Sequence, residues 1–264
     1  MIRLIAVVRH RLRDGADRGF TLIELLVATA LSLMVGAIVV STLITATTSA
    51  ANTTANANLN AEARDLLNRL TGDLRQATPV FTTTTVSGST VKVETPAITA
   101  VQNPYPYESG GSANAVTSIT FDADYNGDGC IDGVVSDGCP GNAVDPNNPE
   151  IESFCWNPAT LVVYLVPGPV DNTCSISAAQ PLLSGMVTGL KIEYDSNRYL
   201  YDADHNGVTT WQEVDGQAPP IGNGNGVLDL PDLNQIDSIK LDVTLSDSGH
   251  TQTYQAVVSL RNVQ

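Results

Sequence analysis

The segment from Asp202 to Glu213 concentrates oxygen-bearing residues at a regular spacing. Its polar residues stand at positions 1, 3, 5, 9 and 12, where twelve-residue calcium loops place their ligands, and position 7 adds a backbone carbonyl. Gly207 at position 6 permits the sharp turn of such a loop. The alternative is a solvated acidic turn, since Asp, Asn and Gly also favour turns. The pattern predicts a calcium site with these ligands: Asp202, Asp204, Asn206, the carbonyl of Val208, Thr210 and Glu213.

A second acidic loop, which begins at Asp124, matches the same pattern incompletely. Its position 12 is Val135, so the bidentate carboxylate that closes a calcium loop is missing. Asp122 or Asp137 are candidate substitutes, and a disulfide that braces the loop is the alternative. The predicted calcium ligands of this loop are Asp124, Asn126, Asp128 and Asp132.

A third segment resembles the dockerin-type calcium loop, but Ile221 occupies the place of its first Asp. Two interpretations remain open besides a separate site: the segment shares the ion of the 202–213 loop, or it forms a simple turn. Its predicted ligands, which follow Asn223, are Asn225, Asp229 and Asp232.

Four cysteines lie in a short, loop-rich part of the chain: Cys130, Cys139, Cys155 and Cys174. Their number is even, and no pair has the C-x-x-C spacing of a metal knuckle. Disulfides formed outside the cytoplasm are therefore favoured over free thiols. Of the three possible pairings we favour Cys130 with Cys139 and Cys155 with Cys174, which close short loops.

An apolar stretch over residues 20–44 predicts one membrane-spanning helix, because about 20 such residues cross a bilayer. The Arg-rich flank before it should remain in the cytoplasm by the positive-inside rule, which places the rest of the chain on the other side. Glu24 interrupts the apolar run. A carboxylate at this depth indicates a functional residue, unless it lies at the interface and stays solvated.

The string around Glu24 resembles the processing site of type IV prepilins and pseudopilins. Over residues 18–28 it reads Arg-Gly-Phe-Thr-Leu-Ile-Glu-Leu-Leu-Val-Ala. The resemblance implies that a prepilin peptidase cuts after Gly19, that Phe20 becomes N-methylated, and that Glu24 pairs with the N-terminal amine of a neighbouring subunit. A secretory signal would have a shorter apolar core, and a plain membrane anchor would not need this string.

Leu and Ala recur at three- and four-residue spacing after the apolar stretch, which predicts an amphipathic helix over residues 46–78. Runs rich in Val and Thr then predict strands, and residues 122–158 and 202–235 are predicted as long loops. The fold class is therefore α+β, with a long N-terminal helix packed on an antiparallel sheet. The predicted strands are 80–86, 90–94, 116–121, 161–166, 182–194, 236–245 and 254–260.

Several short strings together resemble the W-type minor pilins of type IV pili and the J-type pseudopilins of type II secretion: 69–70, 73–77, 183–187, 190–194 and 258–262. The resemblance implies a subunit that assembles through its N-terminal helix. The large head favours a low-copy priming or tip subunit over the main shaft, because bulky insertions hinder close helical repetition. A type II secretion pseudopilin and a calcium-dependent tip adhesin are the alternatives. The predicted parts are a cytoplasmic leader (1–19), a transmembrane and assembly helix (20–45), an amphipathic helix (46–78) and a β-rich extracytoplasmic head (79–264).

Composition limits other functions. The net charge of −15 disfavours nucleic-acid binding, which depends on Lys and Arg, and makes cations the better candidates as ligands. No arrangement of Ser, His and Asp, phosphate loop or zinc spacing stands out, so we predict a protein that is not an enzyme. The expected partners are the prepilin peptidase, other pilins or pseudopilins in a periplasmic or extracellular filament, and the inner membrane before assembly.

Overall fold

A computed structural model describes residues 20–86, 89–127, 130–132, 149–170, 173–174 and 178–260. Its first element is a long helix, α1 (Leu22–Leu74). The chain divides into two compact units, residues 1–54 and residues 55–264. The first unit holds the N-terminal part of α1, and the second holds the end of α1 together with the strands.

The N-terminal part of α1 is apolar and exposed, and the helix is long and apolar enough to cross a membrane. Its hydroxyl groups bond within the helix. The side chains of Thr42, Thr45 and Thr48 each donate to a backbone carbonyl one turn earlier. Because these donors are already paired, Thr can lie in hydrocarbon without an unsatisfied polar group. The segment is thus suited to a membrane anchor.

The last turns of α1 bury one face in the core of the second unit. Leu59, Leu66, Leu70 and Leu74 are each 3% exposed or less, and they follow one another at seven- and four-residue spacing. That spacing places them on a single stripe of the helix. They belong to the same hydrophobic cluster as the buried residues of the strands. The predicted packing of the amphipathic helix on the sheets is confirmed.

The described residues form three antiparallel sheets. The first is the hairpin of β1 (Val80–Val86) and β2 (Ser89–Thr95). The second has five strands, whose order in the sheet is their order in the sequence: β3 (Ile98–Gln102), β4 (Thr117–Asp122), β5 (Ile151–Asn157), β6 (Val162–Pro167) and β7 (Gln180–Leu183). The third has the order β11-β10-β8-β9, with these bounds: β8 (Val187–Ser196), β9 (Thr209–Thr210), β10 (Ser238–Asp247) and β11 (His250–Ser259).

Three short helical segments lie in the connection between β8 and β10. They are a 3-10 turn (Tyr199–Tyr201), α2 (Trp211–Asp215) and α3 (Leu230–Leu233). Both α2 and α3 begin with a reciprocal capping box, in which an acidic third residue bonds back to the residue before the helix. These caps fix two carboxylates, Glu213 and Asp232, at the loops that the sequence predicted as calcium sites.

The core forms where the two larger sheets and α1 meet. Phe121 and Phe154 stack with ring centroids 5.4 Å apart. The indole Nε1 of Trp156 donates to the carbonyl of Val187 at 3.0 Å, which joins β5 to the first residue of β8. Alternate residues of β10 are buried, as expected for a strand with one face on the core: Ile239, Leu241, Val243 and Leu245.

The predicted α+β class is confirmed, but several predicted bounds are wrong. Strand β5 lies inside residues 122–158, which were predicted as a loop, and β3 was not predicted. The predicted strand 182–194 is two strands, because Gly185 adopts a φ of 77° and turns the chain between β7 and β8. Helix α1 ends at Leu74 rather than at residue 78, before a tight turn.

Candidate functional site

The 202–213 loop connects the end of β8 to helix α2. Strand β9, which contains Thr210, pairs with β8 and closes the base of the loop. The carboxylate oxygens of Asp202, Asp204 and Glu213 lie within 4.8 Å of one another. The structure therefore brings together the three acidic residues that the sequence predicted as calcium ligands in this loop.

Asp202 shapes the first half of this loop. Its Oδ1 accepts the N–H of Asn206 at 3.1 Å, and its Oδ2 accepts the N–H of Gly207 at 2.8 Å. Gly207 has a φ of 88°, in the left-handed region that glycine tolerates, as predicted for position 6. Burial by itself raises the pKa of Asp202, but the hydrogen bonds from the loop outweigh it and lower the pKa below its usual value. Asp202 is therefore ionised at neutral pH.

Glu213 closes the second half of the loop. Its Oε1 accepts the N–H of Ala203 at 2.9 Å, and its Oε2 accepts the N–H of Thr210 at 2.9 Å. The hydroxyl of Thr210 donates to the same Oε2 at 3.1 Å, so Thr210 positions Glu213. Desolvation raises the pKa of Glu213, but these hydrogen bonds outweigh it and the pKa is lowered.

The donor set of this loop suits a hard divalent cation. Carboxylates that lie this close repel one another, and a cation between them converts the repulsion into attraction. Oxygen ligands alone are what Ca²⁺ takes, in flexible sets of six to eight. Asn206 adds a side-chain oxygen to the three carboxylates, and Val208 offers its backbone carbonyl. The residues present therefore fit calcium as a structural ion.

The loop that begins at Asp124 receives a carboxylate that the sequence pattern did not identify. Glu150, only 1% exposed, accepts the N–H of Asn126 at 3.2 Å and the N–H of Asp132 at 2.9 Å. These are positions 3 and 9 of the loop, and in the 202–213 loop the position-12 carboxylate accepts from the same two positions. Glu150 thus takes the place of the missing position-12 acid. Asp128, Val135 and Asp137 lie outside the described residues.

In the third loop, Asn223 and Asn225 donate through their side-chain amides to the carboxylate of Asp229 at 2.9 and 2.8 Å. Asp232 is 0% exposed at the start of α3. The carboxylate of Asp215 also reaches this loop from the end of α2, where it accepts backbone N–H groups of the loop. Sequence reasoning missed Asp215, because it stands six residues before Ile221, outside the local pattern.

The disulfide between Cys155 and Cys174 is confirmed, with 19 residues of sequence separation. Cys155 lies in β5 and is fully buried, and Cys174 is 4% exposed. The bond ties the segment after β6 to the middle of the five-stranded sheet. Cys130 is also disulfide-bonded. Its predicted pairing with Cys139 stays a prediction, since Cys139 lies outside the described residues.

At the N-terminus, Glu24 and Thr21 form a reciprocal cap for α1. The Oε2 of Glu24 accepts both the N–H and the hydroxyl of Thr21 at 3.0 Å, and the N–H of Glu24 donates to the Thr21 hydroxyl at 3.2 Å. Phe20 is 86% exposed immediately before this cap. Gly19 lies outside the described residues, so its role as the cleavage site remains a prediction.

Residues 15–40 match the family model of the prokaryotic N-terminal methylation motif. The matched range includes Gly19, Phe20 and Glu24, and it extends into the apolar part of α1. No curated protein and no solved structure matches the chain. The motif supports a type IV pilin-like protein, processed by a prepilin peptidase and anchored by one apolar helix.

Proposed function

We propose that the protein is a minor pilin of a type IV pilus, assembled as a low-copy priming or tip subunit. The methylation motif at residues 15–40 carries this proposal, because it includes the start of an apolar helix whose exposed side chains have no partner inside the described chain. The resemblance of the strings between residues 69 and 262 to W-type minor pilins supports the finer assignment. The head would act through assembly and not through catalysis.

The apolar segment has two successive roles in this proposal. Residues 1–19 are a leader that stays in the cytoplasm until the peptidase cuts after Gly19. Residues 20–45 hold the subunit in the inner membrane, since their exposed Leu, Ile and Val side chains match the hydrocarbon. They then pack in the filament core, where neighbouring helices replace the lipid around the same side chains.

Glu24 selects the neighbouring subunit during assembly. Thr21 occupies one of its carboxylate oxygens, Oε2, through the helix cap. Cleavage after Gly19 creates an α-amino group on Phe20, the one kind of cation that every processed subunit carries at this depth. Pairing this amine with the carboxylate of a neighbour offsets the cost of burying both charges in an apolar core.

Residues 46–78 connect the anchor to the head over residues 79–264. The head carries the 202–213 loop and the Asp124 loop, and bulky loops of this kind hinder the close helical repetition of a filament shaft. A priming or tip position requires no such repetition. We propose that Ca²⁺ in both loops and the disulfides hold the head together, so that the free energy of ion binding adds to that of folding.

A calcium-dependent tip adhesin is the second candidate function. Tyr199 and Leu200 are 73% and 88% exposed in the 3-10 turn directly before the 202–213 loop. Exposed apolar side chains beside a candidate calcium site are placed where a target surface could contact them. Binding of cells to a surface that requires both calcium and these two side chains would favour the adhesin.

Intact-mass measurement tests the assembly proposal. The protein is purified from membranes of cells with and without the prepilin peptidase, and its N-terminus is sequenced. We expect a mature form that starts at Phe20, about 14 Da heavier through methylation, only in cells with the peptidase. An uncut chain that starts at Met1 in both strains would contradict the proposal.

The copy number in sheared filaments tests the minor-subunit assignment. We expect the mature chain to co-purify with filaments at a small fraction of the main shaft subunit, and filament number to fall when its gene is deleted. A Gly19→Arg variant serves as the control, because blocked cleavage should keep the chain in the membrane fraction. Equal abundance with the shaft subunit would exclude a priming or tip role.

A further inference from the structure

The third loop reproduces the backbone hydrogen bonds of the 202–213 loop, with its first ligand taken from outside the loop. In the 202–213 loop, Oδ1 and Oδ2 of the position-1 Asp accept the N–H groups of positions 5 and 6. In the third loop, Asp215 Oδ1 accepts the N–H of Asn225 at 3.2 Å, and Oδ2 accepts that of Gly226 at 2.8 Å. Asp215 therefore supplies the carboxylate that is missing from position 1 of the third loop, where the chain has Ile221.

The second half of the two loops also corresponds. In both loops the N–H of position 9 donates to the carboxylate of position 12. In the third loop Asp229 donates to Asp232 Oδ2 at 3.2 Å, and in the 202–213 loop Thr210 donates to Glu213 at 2.9 Å. The N–H of position 7 likewise donates to the side-chain oxygen of position 5 in both loops, at 2.7 Å from Val227 in the third loop and at 2.8 Å from Val208 in the 202–213 loop. The two loops thus share one hydrogen-bond pattern.

We propose that the third loop and Asp215 form a further divalent-cation site, separate from those of the 202–213 loop and the Asp124 loop. Its ligands are the side-chain oxygens of five residues and one backbone carbonyl: Asp215, Asn223, Asn225, Asp229, Asp232 and the carbonyl of Val227. The proposal rests on the calcium part of the proposed function for the identity of the ion, and it is independent of filament assembly.

Asp232 supplies an observation that the hydrogen-bond pattern does not. Its Oδ1 is buried and has no hydrogen-bond partner, although the residue is 0% exposed. A buried carboxylate oxygen without a partner is costly, and a metal ion is one of the few groups that satisfies it. Within the described ranges, no Lys or Arg forms an ion pair with Asp215, Asp229 or Asp232. A cation that pairs with this oxygen would therefore come from solution.

The electrostatics of Asp232 agree with this geometry. Burial is the main cause that raises its pKa to about 7, and the charges of Asp215 and Asp229 raise it further. A cation among these three carboxylates would convert this repulsion into attraction. The same three residues are the acidic ligands of the proposed site.

Gly222 explains how the loop reaches Asp215. The residue is buried, and a Cβ there would overlap the backbone oxygens of Val214 and Asp215. Glycine therefore permits the loop to lie against the end of α2. The N–H of Gly224 then donates to the backbone carbonyl of Asp215 at 2.8 Å, which fixes the loop beside the carboxylate.

Counting bound ions tests the proposal. Purified full-length protein in detergent is equilibrated with calcium chloride, and bound calcium is counted by native mass spectrometry. We expect Asp215→Asn and Glu213→Gln each to lose one ion relative to the wild type, and the double variant to lose two. Asp65→Asn, which removes an exposed charge from α1, is the matched control and should keep the wild-type count.

The outcomes separate this site from that of the 202–213 loop. If Asp215→Asn keeps the wild-type count, or if the double variant loses no more than Glu213→Gln alone, the site at the third loop is overturned while that of the 202–213 loop stands. If only Asp215→Asn loses an ion, the site at the third loop stands and that of the 202–213 loop is overturned. If the wild type binds no calcium, both are overturned.

The melting temperature of the Asp232→Asn variant provides a second test, and we expect this variant to fold without calcium. Without calcium, its melting temperature should equal or exceed that of the wild type, because the amide carries no charge to repel its acidic neighbours. Its calcium-induced rise in melting temperature should be smaller than that of the wild type. An unchanged rise would overturn the role of Asp232 as a ligand.

Discussion

Glu213 and Asp215 lie two positions apart on α2, and their carboxylates accept hydrogen bonds from different loops. Glu213 accepts the N–H of Thr210 at 2.9 Å, and Asp215 accepts that of Gly226 at 2.8 Å. Trp211 begins the same helix and is 1% exposed, so the helix is anchored in the core. This one short helix therefore supplies a carboxylate to each of two candidate ion sites: the position-12 acid of the 202–213 loop and the first ligand of the third loop.

Calcium is expected to stabilise the head. An ion at about a hundred times its dissociation constant adds about 2.7 kcal/mol to the free energy of unfolding. For a unit of this size that corresponds to a rise of several degrees in melting temperature. Differential scanning fluorimetry of the full-length protein, in EDTA and in millimolar calcium, measures the rise. Glu213→Gln should reduce it, because the amide loses the charge and one ligand oxygen.

Magnesium at the same concentration is the control for this prediction. Mg²⁺ demands a tighter octahedral geometry than a flexible twelve-residue loop offers, so its effect should be smaller. Asp65→Asn should respond to calcium like the wild type. Equal melting temperatures in EDTA and in calcium would contradict the prediction for the wild-type protein.

Gly222→Ala is expected to weaken calcium binding at the third loop without changing any ligand. The added methyl group meets backbone oxygens of α2, so the loop has to move away from Asp215. Titration calorimetry should show one calcium affinity reduced and the affinity of the 202–213 loop largely kept. Gly72→Ala is the matched control, since nothing lies within 4 Å of a Cβ there. Unchanged binding by Gly222→Ala would show that the loop does not depend on this close approach.

The sequence predicted the 202–213 loop because all of its ligands are contiguous in the chain. The other two loops are completed by residues that lie outside the loop in the sequence: Glu150 completes the second and Asp215 the third. A pattern of fixed spacing cannot identify such residues, because their proximity is a product of the fold. One signal was present: each incomplete loop lacks a single carboxylate, and a buried acid near the missing position is the candidate to replace it.

The sheet was predicted less completely than the helix for a related reason. Because one stripe of α1 is buried, its apolar residues recur every three or four positions in the sequence. That helix was therefore predicted to within a few residues at each end. Strand β5 has no such period, because five consecutive residues from Glu152 to Trp156 are buried on both faces. Polar Glu152 and Ser153 then resemble loop residues, although Tyr125 donates to Glu152 at 2.8 Å and Thr120 bonds to Ser153 at 2.8 Å.

Removal of the Cys155–Cys174 disulfide is expected to destabilise the head by about 3 kcal/mol on the chain-entropy estimate for a loop of this length. The double variant Cys155→Ala with Cys174→Ala avoids a leftover thiol. Urea unfolding at saturating calcium should give a lower midpoint than the wild type. Addition of reductant should bring the wild type toward the variant. A midpoint that does not change would mean that the bond contributes little, and that packing of the segment after β6 suffices.

Leu70→Ala is expected to destabilise the second unit by about 2 to 5 kcal/mol, because it leaves a cavity under the end of α1. Leu70 is 1% exposed and belongs to the main hydrophobic cluster. Asn68→Ala, on the exposed face two positions earlier, is the control and should change stability by less than about 0.5 kcal/mol. Urea unfolding measures both variants. Similar midpoints for Leu70→Ala and Asn68→Ala would contradict the role of this stripe.

Glu24→Gln separates processing from assembly. In the proposed processing the peptidase cuts after Gly19, five positions before Glu24, so we expect the variant still to be cut and methylated. The amide cannot neutralise the α-amino group of a neighbouring Phe20, and that amine would then be buried without a counter-charge in the filament core. We therefore expect the mature mass in membranes, with at least a tenfold loss from sheared filaments, which corresponds to about 1.4 kcal/mol. Glu62→Gln, on the exposed face of α1, is the matched control and should be incorporated like the wild type. Equal incorporation of Glu24→Gln would mean that the Thr21 cap is the main role of this carboxylate, and that another residue selects the neighbour.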